Sequence, residues 1–186
     1  RILAYRISVQ EDGSIEGEAV ERFAGFSAAR ARHTLERLDA ERLHQVVEAS
    51  LARELRGAEL LEADVELGEE VALSYSFRLD GGLEPHGKDG FLLGLEFLRM
   101  HLAQRFLTGA ERKSPLLLAQ DEHLVVEAEI LLPPGFRLLE SPPALLENSE
   151  HGSYRRSVGE KDGNLVIRDV LELRRGRILP HEYPGF

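Results

Sequence analysis

Seven histidines are spread along the chain at positions 33, 44, 86, 101, 123, 151 and 181. A zinc centre built on a helix would set two of them four residues apart on one face, and no pair has that spacing on a clear helix. The histidines therefore read as solvated surface residues, and no metal ligand is assigned. The carboxylates Glu59, Glu62, Asp64 and Glu66 raise a different chemistry, the acid and base pair of a glycosidase. Glu62, Asp64 and Glu66 interleave with Leu61, Ala63, Val65 and Leu67, which is the pattern of a strand with one wet face. Nothing beside them supplies an apolar pocket to raise one carboxyl pKa, so they too read as surface.

Arg174, Arg175 and Arg177 form a local basic cluster, with Arg155, Arg156 and Arg168 near them in the proposed hairpin. Such a cluster docks an acidic partner or an anionic ligand, or it pairs with the chain's own glutamates and protects an edge strand; the second account is the plainer one. Tyr183, followed by Pro184, is placed to anchor the tail by packing its ring. Arg174, Arg175, Arg177 and Tyr183 are the candidate docking residues. A loop site at His86-Gly87-Lys88-Asp89 would need another carboxylate to meet it in space. The chain has no cysteine, which removes thiol nucleophiles, thiolate metal sites and disulfides. With no Gly-rich phosphate loop, Ser-x-x-Lys or Gly-x-Ser-x-Gly motif in the sequence, no catalytic residue and no cofactor is assigned.

The elements that would carry these residues read as follows. At 186 residues with 42% hydrophobic content the chain can bury a proper core as a single unit spanning residues 1–186, divisible into a β-β-α-β-β half at 1–82 and a β-rich half at 83–186. Its net charge of −10 repels phosphate backbones, so nucleic acid is not an expected partner. No run approaches the roughly 20 apolar residues of a membrane span. The chain opens at Arg1 directly in strand-like sequence, as expected of a fragment or processed product.

Ile2 to Val9 and Ile15 to Phe23 form a hairpin across Glu11-Asp12-Gly13-Ser14. Ser27 caps a short helix to Arg37, and Asp39 caps a second, in which Leu43, Val46, Val47, Ser50, Leu51 and Leu55 recur at helical spacing up to a Gly57 C-cap. Ala58 to Leu67 and Glu70 to Leu79 alternate as strands around a Gly68-Glu69 turn. In the ambiguous stretch 83–114, Phe91 to Phe97 reads as strand. His123 to Leu132 alternates strongly, Pro133-Pro134-Gly135 turns the chain, and Phe136 to Leu139 resumes a short strand. Ser141-Pro142-Pro143 is loop or edge, and Gly152 to Val158 pairs with Asn164 to Leu173 across Lys161-Asp162-Gly163. The expected fold is α+β, mainly antiparallel and sandwich-like, with one main amphipathic helix over about residues 39–55 packed on a sheet.

In this order Leu132-Pro133-Pro134-Gly135-Phe136, Gly152-Ser153-Tyr154, Asn164-Leu165-Val166, the run Leu171 to Ile178 and Tyr183-Pro184 resemble the C-terminal uncharacterised β-rich domain of bacterial transglutaminase-like proteins. The Asp12-Gly13-Ser14 turn, Gly25 with Ala28, Ala29 and Arg32, and Arg112 before Ser114-Pro115-Leu116 fit the same region. The resemblance implies a β-rich domain lying after a papain-like core. That core carries the family's Cys, His and Asp, and no residue of this chain takes over the nucleophile. It implies a non-catalytic accessory domain that supports this upstream core or binds its target, and an extracytoplasmic location, periplasmic or secreted. The other reading is a free-standing binding module for a protein or polysaccharide, with its site on the loops around His86 and Lys88.

Overall fold

The computed structural model describes residues 1–87, 90–95, 98, 100, 105–106 and 113–182. Its first half follows the hydrophobic pattern closely. β1 (Ile2–Val9) and β2 (Ile15–Phe23) pair antiparallel through a turn in which Asp12 Oδ1 accepts the Ser14 amide at 2.9 Å and its hydroxyl at 2.6 Å. Two helices follow, α1 (Gly25–Leu35) and α2 (Ala40–Glu54). The cap of α1 corrects the sequence reading: the N-cap is Ala24, with no side-chain cap, and Ser27 lies inside the first turn with its hydroxyl on the Ala24 carbonyl at 2.7 Å. Asp39 does cap α2, its Oδ1 accepting the Arg42 amide at 2.9 Å. The C-cap of α2 is Leu55, and Gly57 sits two residues later at φ +90° in the turn into β3.

β3 (Glu59–Leu67) and β4 (Val71–Leu79) form the second hairpin. A register shift between Leu60 and Glu62 leaves Leu61 as an extra, bulged residue. Leu60 is consequently buried and Leu61 is 49% exposed, so Leu61 does not share the buried face with Ala63 and Val65 as strict alternation predicted.

In the second half, β5 (Leu83–His86) and β6 (Gly90–Leu93) make a small ribbon, and the expected strand to Phe97 ends at Leu93. Residues 96 and 97 lie outside the described residues. β7 (Leu116–Leu118) precedes β8 (Glu122–Leu131). Phe136 to Leu139 is not a strand: the Phe136 amide turns back onto the Pro133 carbonyl at 3.1 Å, and the Phe136 ring stacks on Phe91 at 6.0 Å. β9 (Leu145–Ser149), β10 (Gly152–Lys161), β11 (Asn164–Leu173) and β12 (Gly176–Ile178) complete the chain. The β10–β11 hairpin turns at Asp162 and Gly163, both at positive φ.

One eight-stranded sheet runs β3-β4-β2-β1-β8-β11-β10-β9, antiparallel at every junction except the parallel β1–β8 pair. Registry places Tyr5, Ile7, Ala19, Phe77, Ala128, Ile130, Ile167 and Leu171 on a common face. Leu43, Val47 and Leu51 of α2, Ala28 and Leu35 of α1, Leu118 of β7 and Ile178 of β12 join the same buried cluster. The second layer is thus made of helix and short ribbon. The fold is α+β, dominated by an antiparallel sheet with helices packed on it, as expected. The opposite face, carrying Arg6, Glu18, Ser74, Asp64, Glu129 and Arg168, has no layer over it among the described residues.

Candidate functional site

Alternation along β11 puts Leu165, Ile167, Asp169, Leu171 and Leu173 in phase, so the backbone carries an aspartate into the core face. Asp169 is only 1% exposed. Burying a lone carboxylate is costly unless it is paired and hydrogen-bonded. The neighbouring strand supplies both: Arg156 donates through Nε to Oδ1 at 2.8 Å and through its terminal nitrogen to Oδ2 at 2.6 Å, and the Tyr154 hydroxyl donates to Oδ2 at 2.8 Å. Burial, and then the Asp169 carboxylate, push the Tyr154 hydroxyl up to about 12. Arg156 is held more firmly charged, chiefly by its bond to Asp169.

A second polar group lies on the same face in the first half. Tyr5 and Tyr75 approach with their hydroxyls 3.5 Å apart, and Glu21, itself buried, pairs with Arg1. Burial raises both tyrosines, Tyr75 to about 12 and Tyr5 beyond the ordinary range, with Glu54 and Glu21 adding to the effect on each. A hydroxyl raised in this way stays protonated at neutral pH and works as a hydrogen-bonding group, not as a general base.

Beside this seam opens a cleft of about 1020 Å³, bounded by Phe23, Phe26 and Leu35 on one side and by Arg105, Glu122 and Arg175 on another. Arg105 and Glu122 pair in two-pronged fashion at 2.9 and 2.5 Å. The uncovered sheet face holds a groove of about 440 Å³ over Ala4, Val20 and Val166, rimmed by Arg6, Glu18, Glu127, Glu129, Lys161 and Arg168. Arg168 and Glu127 pair across that rim at 2.7 Å.

The structure distributes the basic residues that the sequence grouped. Arg156 faces the core, while Arg155 and Arg168 share the uncovered face. Arg174 turns to the Glu150 carbonyl at 3.4 Å, and Arg175 borders the cleft with its amide on Asp121 Oδ1 at 2.7 Å. Arg177 lies on β12 opposite Leu117 and is exposed. Tyr183 lies outside the described residues, as does Lys88; His86 ends β5 on the surface. Glu62, Asp64 and Glu66 are exposed, on the wet face expected for them.

The Asp169 group was available in the sequence as an acid standing in phase with four apolar residues of one strand. The Tyr5–Tyr75 pair was not, because 70 residues separate its members and the strand order decides their meeting.

No family model, no curated protein and no solved structure matches the chain.

Proposed function

We propose that this chain is a non-catalytic accessory domain of a transglutaminase-like protein, supporting the upstream catalytic core or binding its target. The reading rests on the ordered motifs from Leu132 to Tyr183, and one structural observation favours a docking role. Among the described residues the large sheet is layered on one face only, and its other face keeps small and apolar side chains, Ala4, Val20 and Val166, in a groove among charged residues. A groove of that character fits a partner surface with an apolar centre and a charged rim. The groups whose proton affinity is displaced, among them Tyr5, Tyr75, Tyr154, Asp12 and Arg156, all move away from neutrality, which suits hydrogen bonding and ion pairing.

The test is the coding sequence upstream of Arg1. It is expected to encode a core carrying Cys, His and Asp; a parent protein without one overturns the proposal. The alternative, a free-standing binding module for a protein or polysaccharide, draws on the cleft bounded by Phe23, Phe26 and Arg175, which is concave and partly aromatic. It predicts that Phe26→Ser abolishes ligand capture and leaves folding intact. The accessory-domain reading predicts no such loss.

A further inference from the structure

The β9–β10 turn and the turn after β12, distant in sequence, meet at one corner of the fold. Glu150 and His151 form the turn between β9 and β10, and His181 and Glu182 belong to the turn that follows β12. One ligand atom from each of Glu150, His151 and Glu182 lies within 4.8 Å of the others. His151 Nε2 is 3.4 Å from Glu150 Oε1, and His181 Nε2 is 3.8 Å from Glu182 Oε1. Nitrogen and oxygen donors around a tetrahedral zinc ion sit at about 2.0–2.2 Å from the metal, hence about 3.4 Å from one another. The Glu150–His151 pair already stands at that separation.

We propose that Glu150, His151 and Glu182 bind a divalent d-block cation, zinc in the first instance, through one imidazole nitrogen and two carboxylate oxygens, with water in the fourth position; His181, which reaches Glu182 alone, is not among the ligands. Three features support it. Glu182 is fixed by a reciprocal pair of bonds, its Oε2 accepting the Leu179 amide at 2.7 Å and its own amide bonding the Leu179 carbonyl at 3.0 Å. That engagement leaves Oε1 presented, as outer-shell hydrogen bonds do for ligating carboxylates. The His151 side chain is only 15% exposed, and the backbone on either side is held by its amide on Ser149 Oγ at 3.2 Å and its carbonyl on the Arg174 amide at 2.9 Å. Among the described residues no lysine or arginine side chain pairs with either carboxylate; the Arg174 guanidinium beside them bonds the Glu150 carbonyl at 3.4 Å and leaves the carboxylates to a metal. A bound ion would tie the C-terminal turn to the β9–β10 turn, closing a loop of some thirty residues. This site is independent of the docking role proposed above.

Calorimetric titration of zinc chloride into the purified chain tests the proposal. Saturable binding of one ion per chain is expected, with a rise in the melting temperature. His151→Ala and Glu182→Gln should each weaken binding by about tenfold or more, and Glu36→Gln, beside His33 on the other side of the molecule's sequence, should leave it unchanged. Because a ligand variant is able to disturb the turn, the unaltered chain is also titrated with cobalt(II) or manganese(II), and amide signals of residues 149–152 and 179–182 should broaden first. Absence of saturable zinc binding, retention of full affinity in both ligand variants, or broadening centred elsewhere overturns the proposal.

Discussion

Asp169 concentrates the consequences of a single residue placed out of hydrophobic character. Its carboxylate is almost fully buried and takes three hydrogen bonds from Arg156 and Tyr154, so its removal strands a guanidinium on the core face. Breaking a buried pair by one partner costs roughly 3–5 kcal/mol, and the partial exposure of Arg156 lowers the expectation for Asp169→Asn to about 2–3 kcal/mol in urea unfolding. Arg168→Ala, which breaks a pair exposed on the open face, should cost under about 1 kcal/mol in the same measurement. The tyrosines give a pH signature. Tyr75 and Tyr154 are raised to about 12 in the folded chain, above the unfolded value near 10, and Tyr5 is raised further. A raised group lends stability that is fully present below the unfolded pKa and is lost as pH climbs through the folded one. Stability should therefore fall between about pH 10 and 12. Absorbance near 295 nm should show Tyr75 and Tyr154 ionising only at the top of that window when folded, Tyr5 staying protonated through it, and all three ionising near pH 10 in urea. Ionisation of all tyrosines near pH 10 in the folded chain would remove the burial argument.

At the scale of elements, local chemistry that acts within a few residues was legible in the sequence. The Asp39 cap, the Gly68-Glu69 turn and the hairpin at Asp162-Gly163 all follow from side chains and backbone preferences next to them. Asp39→Ala should cost about 1 kcal/mol by loss of the bond to the Arg42 amide. What the sequence hid depends on partners elsewhere. The bulge at Leu61 is set by pairing with β4, and Phe136 leaves the strand pattern to stack on Phe91. β9, just past Pro142-Pro143, has no ladder among the described strands except the one β10 offers it. Gly17 is a further case: a Cβ there would stand 2.2 Å from the Phe77 ring, which is itself buried. Gly17→Ala should destabilise by about 1–3 kcal/mol through overpacking, read as a lower urea midpoint with unchanged slope. An unchanged midpoint would mean that β2 and the Phe77 ring of β4 shift apart freely.

Across the whole molecule, the parallel β1–β8 junction joins two antiparallel four-stranded halves into one sheet, and that junction, formed across more than a hundred residues, was beyond any local pattern. It also creates the broad uncovered face on which the docking account rests. Arg6 and Lys161 come from different halves of the sheet and border the same groove only because β1 and β8 pair. Charge reversal at both, Arg6→Glu with Lys161→Glu, alters no buried contact and should leave the melting temperature nearly unchanged while weakening docking. The direct measurement is an NMR titration of the ¹⁵N-labelled chain with the upstream core proposed for its parent protein, produced separately. The account predicts saturable binding with shifts concentrated on β1, β2, β8 and β11 around the groove, diminished by the double reversal. Absence of binding, or shifts confined to the opposite, helix-covered side, would contradict it.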